Sequence, residues 1–117
     1  MSEIRRVKIT IKEKATAIQV CNEMNLGVEE ISKEVIKLAN TGIHVWGNQA
    51  IKLIKQQDGS YILEGDCSTN ELEKLAGKIK AQMSIKIITR EAARIGYNVA
   101  SKIESKGKIK IRLRTFA

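Results

Sequence analysis

The sequence contains no proline, one histidine, two cysteines and only 3% aromatic residues. Catalysis by a Ser–His or Cys–His pair would have to use His44, which lies in the short apolar run GIHVWG. We interpret His44 instead as a strand residue with its polar tip at the surface. Cys21 and Cys67 lie far apart and outside any CxxC pattern, so we expect buried thiols rather than a disulfide or a metal site. The sequence therefore predicts no catalytic residues and no metal.

Glycine-rich phosphate-binding loops and long apolar runs are also missing. No segment matches GxxxxGK[ST] or GxGxxG, so we expect no nucleotide cofactor. No run approaches the roughly 20 apolar residues that a membrane helix requires. The opening segment MSEIRRVKITIKEK carries charges where a signal peptide needs an apolar centre. We expect a cytoplasmic protein that has no contact with membranes and no cofactor.

A strong positive charge is the most prominent property that the composition does show. The chain has 117 residues, a formal net charge of +8 and a pI of about 9.7. Its length suits one domain over residues 1–117. A basic balance of this size favours attraction to nucleic acid, acidic protein surfaces or anionic lipid.

Alternation of apolar and basic residues predicts a strand at each end of the chain. RRVKITIK places Val7, Ile9 and Ile11 on one face and a mostly basic set on the other. KGKIKIRLRTF repeats the pattern with Ile109 and Ile111 among its apolar residues, and we expect it to be the second strand of a closing hairpin. The candidate binding residues on these two strands are Arg6, Lys8, Lys12, Lys108, Lys110, Arg112 and Arg114.

Helical spacing predicts two helices. The first covers residues 14 to 25 and ends at Gly27 as a C-terminal breaker. The second covers residues 69 to 95, begins with a capping box between Ser68 and Glu71, and ends at Gly96. Its predicted apolar stripe consists of Leu72, Leu75, Ala76, Ile79, Met83 and Ile87.

Residues 28–40 support two interpretations equally. Val28, Ile31, Val35 and Leu38 have the spacing of an amphipathic helix, whereas the β-branched residues of EVIKL favour a strand. The next segment, AIKLIKQQDGSYILEGD, predicts a hairpin in which Asp58-Gly59 supplies the positive φ angles of a tight turn.

Strands separated by two amphipathic helices predict an α+β fold. We expect a two-layer sandwich, with a mostly antiparallel sheet and both helices on one face. If the two basic strands are neighbours in that sheet, their cations form one patch that suits an acidic partner. If they are apart, each is a solvated face that keeps the sheet soluble.

Two smaller features are also candidate sites. Glu64 and Asp66 occupy alternate positions of one strand and could bind a cation, although pairing with Lys52 or Lys55 is the favoured interpretation. Trp46 is interpreted as partly buried or as a contact anchor rather than a base-stacking platform.

Three segments carry a resemblance to a known family. The hairpin IKLIKQQDGSYILEGD, the helix end EAARIGYNV and the closing GKIKIRLRTF occur in this order. With AIQVCNEMNLGVEE, they resemble a family of small proteins of unknown function encoded in algal plastid genomes, cyanobacteria and other bacteria. The chain departs from that family at Val28, where an aromatic residue is usual. The resemblance implies a compact α+β fold, no known enzymatic activity and genomic proximity to an AAA-type ATPase.

Two functions follow as hypotheses. The first is a small non-enzymatic accessory or adaptor protein that contacts a protein partner, such as an AAA-type ATPase system, through an open sheet face or edge. The alternative is a nucleic-acid-binding module that acts through backbone charge without strong sequence preference. Self-association into a homodimer is a further expectation, because uncovered sheets often pair symmetrically.

Overall fold

The computed structural model describes residues 4–10, 12–47, 49–105 and 108–115, and it describes their side chains except at 98–105, 108, 109 and 113–115. Among its described helices, none has the length and apolar character that crossing a membrane requires. In chain order the elements are β1 Ile4–Ile9, α1 Lys14–Glu23, β2 Gly27–Glu30, β3 Val35–Ala39, β4 Ile51–Lys55, β5 Tyr61–Asp66, α2 Thr69–Arg94, β6 Tyr97–Ser105 and β7 Lys108–Thr115.

Strands β1 to β5 form one antiparallel sheet in the order β1-β5-β4-β3-β2. Alternate residues of each strand point towards the helices, and Ile36, Leu53 and Leu63 are almost completely buried there. Helix α2 packs on β1 and β5, and α1 packs on α2 and β2. The predicted α+β sandwich with an antiparallel sheet and two helices is confirmed.

Helix α1 buries Ala17, Val20 and Cys21 against this core. It ends two residues earlier than predicted, and Gly27 is not its terminator. Asn25 has a φ of +62° and takes the left-handed position. The Asn25 amide bonds the carbonyl of Asn22, and the Leu26 amide bonds the carbonyl of Cys21. This pair of bonds is the Schellman arrangement, with asparagine where glycine is usual.

Residues 28–40 form a hairpin, so the helical interpretation of this segment is wrong. Val28 and Leu38 are register partners that face the core, whereas Val35 lies on the opposite face of the sheet. The helix-like spacing arises because the turn at residues 31–34 shifts the alternation between the strands. Pairing of β3 with β4 stabilises the strand that the β-branched residues favour.

The β4–β5 hairpin is present as predicted, but its turn differs from the predicted one. Of the Asp58-Gly59 pair, only Gly59 has a positive φ, at +88°. The Gly59 amide bonds the carbonyl of Gln56, and the Gln56 amide bonds the carbonyl of Ser60. The connection is therefore a longer loop with glycine at its left-handed position. Asp58 Oδ1 accepts the Ser60 amide at 2.9 Å, which fixes the loop.

Helix α2 begins after Ser68, but the Ser68 side chain makes no capping bond, so the capping-box prediction is wrong. Most of the predicted stripe is buried, and Ile87 is half-buried. Ile85 and Ala92 are also buried, although they lie outside the main core and on the opposite side of the helix from Met83. The C-terminal half of α2 therefore has a second buried side, and α2 contacts β6 and β7 as well as the sheet.

Strands β6 and β7 form the predicted closing hairpin, with Gly96 at a φ of +93° leading into it from α2. They make a separate two-stranded sheet. Within β1, Val7 and Ile9 face the helices, as the alternation predicts. The strand ends at Ile9, so Lys12 lies beyond it, and Ile11 lies outside the described residues.

Candidate interaction surface

The face of the five-stranded sheet opposite the helices, here called the outer face, carries a line of charged residues to which each strand contributes one. These residues are register partners from strand to strand, so they form a single line across the sheet. At a strand spacing of about 4.8 Å, the line is about 19 Å long. This charged row consists, from β2 to β1, of Glu29, Lys37, Lys52, Glu64 and Arg6.

Ion pairs connect the ends of the charged row. Arg6 Nε donates a 2.9 Å hydrogen bond to Glu64 Oε2, and Lys37 Nζ lies 3.9 Å from Glu29 Oε2. Lys52, the central member, forms no ion pair within the part of the chain that the structure describes. The row therefore has two neutralised ends and one charge at its centre.

A second line of register partners on the outer face is apolar. Val35, Ile54 and Ile62 lie side by side on β3, β4 and β5, and each is half-buried. Ile31, which is 54% exposed, follows directly after β2. Its amide donates a hydrogen bond to the carbonyl of Val35, so Ile31 continues the line on the side of β3 where β2 lies. Lys8 is the register partner of Ile62 and ends the line on β1. We call Val35, Ile54 and Ile62 the aliphatic row.

The predicted binding cations at the N-terminal end are all exposed, but carboxylates accompany them. Arg6 pairs with Glu64, and Lys8 Nζ lies 3.7 Å from Asp58 Oδ2. Lys12 lies beside the same hairpin turn. The Ser60 hydroxyl and amide, with smaller contributions from Lys8 and Lys12, lower the pKa of Asp58 below its ordinary value, so it stays ionised. Little unpaired positive charge remains along β1.

The predicted cations of β7 have different neighbours. Lys110 and Arg112 are exposed and Ile111 is half-buried, as the alternation predicts. The side chains of Lys108 and Arg114 lie outside the described residues. The register partners of all four β7 cations on β6 are uncharged. In the order Lys108, Lys110, Arg112 and Arg114, the partners are Ser105, Ile103, Ser101 and Asn98.

The two basic strands belong to different sheets. β1 is hydrogen-bonded to β5 at the edge of the five-stranded sheet, and β7 is hydrogen-bonded to β6. Strand pairing therefore does not join their cations into one patch. The strand order, which alternation cannot give, separates them.

Glu64 and Asp66 both lie on the outer face but have different surroundings. Glu64 is held by Arg6 of the neighbouring strand rather than by Lys52 or Lys55. Asp66 lies against Gly47, where a Cβ would be 2.8 Å from Asp66 Oδ2. Among the described residues, no three His, Cys, Asp or Glu side chains meet as a metal site would require.

Other residues singled out in the sequence are accounted for individually. His44 is exposed in the irregular segment before β4, not in a strand. Trp46 is 49% exposed, and its amide bonds the carbonyl of Asp66 at 2.9 Å, which places it at the end of β5. Cys21 and Cys67 are buried free thiols, as predicted. Burial raises the pKa of Cys21 to about 11, so this thiol is not a nucleophile at neutral pH.

An open sheet face was predicted as the contact surface, but the charged row and the aliphatic row on it were not, because the residues of each row come from separate strands. The alternation of residues within β4 and β5 does indicate which of their side chains point away from the core. The comparison of this chain with protein-family models, with curated proteins and with solved structures gives no match. The family resemblance described above therefore stays a prediction.

Proposed function

We propose that this protein is an accessory or adaptor protein that binds a protein partner through the outer face of its five-stranded sheet. The aliphatic row carries this proposal. Three branched side chains lie next to one another on a face that no described helix covers, with charged residues of both signs beside them. Protein interfaces combine an apolar centre with a polar rim in this way.

The charges beside the aliphatic row favour a protein over a polynucleotide. Glu29 and Glu64 lie within the charged row and would repel phosphates. Arg6 and Lys8 already accompany carboxylates, so few counterions would be released on binding a phosphate backbone. The half-exposed Trp46 at the end of β5 is the kind of residue that often anchors a protein contact.

A photo-crosslinking experiment tests the proposal. A photoreactive amino acid replaces Ile54 on the outer face, and in a control variant it replaces Glu73, an exposed residue of α2. After irradiation in native lysate, we expect a defined protein adduct from position 54 that Glu73 does not give. A second variant with Ile62→Glu should lose the adduct. Equal adducts from both positions would contradict the proposal, and an AAA-type ATPase in the adduct would match the family resemblance.

A nucleic-acid role has one observation in its favour, which is the uncharged register partners of the β7 cations. It predicts that the protein retards RNA or duplex DNA at low salt, with an affinity that falls steeply as salt rises. Lys110→Glu with Arg112→Glu should abolish that binding, whereas Arg6→Glu with Lys8→Glu should weaken it little. Micromolar protein that leaves polynucleotides unshifted at about 50 mM salt would exclude this role.

A further inference from the structure

We propose that the protein partner of the outer face is a second copy of this chain, packed face to face across a two-fold axis parallel to β4. The inference rests on the proposed function, since it names the partner of the same surface. A two-fold axis in this position places β4 over β4 of the second copy. The strand order is then reversed across the interface, so that β3 faces β5 and β2 faces β1.

Except at its central residue, the charged row is complementary to its own reverse. From β2 to β1 the signs are negative, positive, positive, negative, positive. When the row faces a reversed copy, Glu29 lies opposite Arg6 of the second copy, and Lys37 lies opposite Glu64 of the second copy. The axis generates each of these pairs twice. Most other orders of five charges would place like charges opposite each other in at least one of these two pairs.

The aliphatic row has the same symmetry, because it is centred on β4. Val35 would lie opposite Ile62 of the second copy, and Ile54 would lie opposite Ile54. At the ends of the line, Ile31 would lie over the aliphatic stem of Lys8. The apolar centre and the charged pairs therefore require the same axis, although they involve different residues.

Lys52 lies on this axis and would face Lys52 of the second copy. It is also the row member without an ion pair among the described residues. This single repulsive contact weakens the dimer without changing its geometry, because both lysines have flexible stems and Glu64 as a cross-strand neighbour.

The size of the face indicates a weak dimer. Five strands at about 4.8 Å and about five residues per strand at 3.3 Å give an area of about 400 Å² per copy. Stable complexes bury about 800 Å² per partner. We therefore expect a dimer that dissociates in the micromolar range, where a competing protein partner could also displace the second copy.

Sedimentation velocity over a range of micromolar concentrations tests the inference, with two charge reversals and their mixture. In Lys37→Glu and in Glu64→Lys, each homodimer would contain two like-charge contacts, so we expect self-association to weaken about tenfold or more. An equimolar mixture should dimerise again, because the mixed dimer has opposite charges at both contacts. Lys80→Glu and Glu73→Lys, at exposed positions of α2, are the matched controls and should dimerise like the wild type.

A cross-linking measurement keeps the inference testable if a charge variant folds poorly. Position 54 faces itself across the axis, and packed sheets lie about 10 Å apart. A short bismaleimide should therefore couple two copies of Ile54→Cys, whereas Lys80→Cys should stay uncoupled. The native thiols do not interfere because both are buried.

The outcomes separate this inference from the proposed function. A monomeric wild type at high micromolar concentration, or a mixture of the two reversals that does not dimerise, would overturn the second copy as partner. If a different protein is then captured at position 54, the proposed function stands without the inference. If neither self-association nor such a capture occurs, both proposals fail.

Discussion

Arg90 of α2 donates hydrogen bonds to both carboxylate oxygens of Glu13, at 2.9 and 2.8 Å, immediately before α1 begins. Thr16 of the first turn of α1 donates a third bond to Glu13 Oε1 at 2.8 Å. The two bonds from Arg90 connect α2 to the start of α1, and the bond from Thr16 holds the Glu13 carboxylate in position. A bidentate arginine–carboxylate pair fixes the relative orientation of its two side chains better than a single hydrogen bond does.

The first prediction concerns the pH dependence of this connection. The hydrogen bonds from Arg90, and secondarily from Thr16, lower the pKa of Glu13 from about 4.5 to about 2. Because the folded-state pKa is the lower one, the stabilisation is complete above about pH 4.5 and is lost as pH falls towards 2. Glu13→Gln should therefore unfold at lower denaturant than wild type at pH 7, and the two should converge near pH 2. Glu73→Gln, the matched control, should show no such difference.

Two glycine-to-alanine changes should have opposite effects on stability. A Cβ at Gly65 would lie 3.1 Å from both Cys67 Sγ and Ile51 Cγ1 in the core, so Gly65→Ala should cost about 1–3 kcal/mol through overpacking. Gly77 lies within α2, and a Cβ there would meet nothing within 4 Å beyond the adjacent helix backbone, so Gly77→Ala should raise the free energy of unfolding by about 0.5–1 kcal/mol. Urea unfolding of both variants measures the difference. Equal effects would show that Gly65 is not tightly packed.

Thiol reactivity should report on the integrity of the core. Cys21 and Cys67 are almost fully buried, and burial raises the pKa of both thiols. Iodoacetamide should therefore leave the native protein unmodified at mildly alkaline pH and label both cysteines in denaturant, as mass spectrometry would show. Rapid single labelling of the native protein would contradict the burial of one thiol.

Removing the charge of Lys52 should strengthen self-association. Lys52→Gln keeps a long polar side chain but removes the repulsion between two lysines on the proposed axis. We expect the dimer dissociation constant to fall several-fold in sedimentation experiments. Lys80→Gln, the matched change on α2, should leave it unaltered. A weaker dimer in Lys52→Gln would place the axis elsewhere.

Local patterns predicted most of the fold. The stripe from Leu72 to Met83 identified α2, and the alternation around Ile109 and Ile111 identified the closing strand, because each pattern lies within one element. Residues 28–40 could not be settled from the sequence. Their apolar spacing fits a helix, and the strand is selected by pairing with β4, which lies outside the segment.

The two rows of residues on the outer face could not be predicted from the sequence for a related reason. Which strands are neighbours, and in which register, depends on long-range packing that periodicity does not encode. Alternation left open whether Arg6 lies near the basic residues of β7, and the strand order places it beside Glu64 of β5. The residue on the neighbouring strand determines whether a cation is free to attract phosphates or forms an ion pair.

The strand order also has a consequence for the order in which the chain can assemble. Strands β2 to β5 follow one another as antiparallel neighbours, and the connections between them are far shorter than the chain between β1 and β5. β1 is different, since Ile9 pairs with Tyr61, which is made much later during synthesis. We expect a four-stranded meander to form first, with β1 joining last as the slow, long-range step. Until then the apolar side of β1, with Val7 and Ile9, is exposed, and Arg6 and Lys8 on its other side oppose premature aggregation.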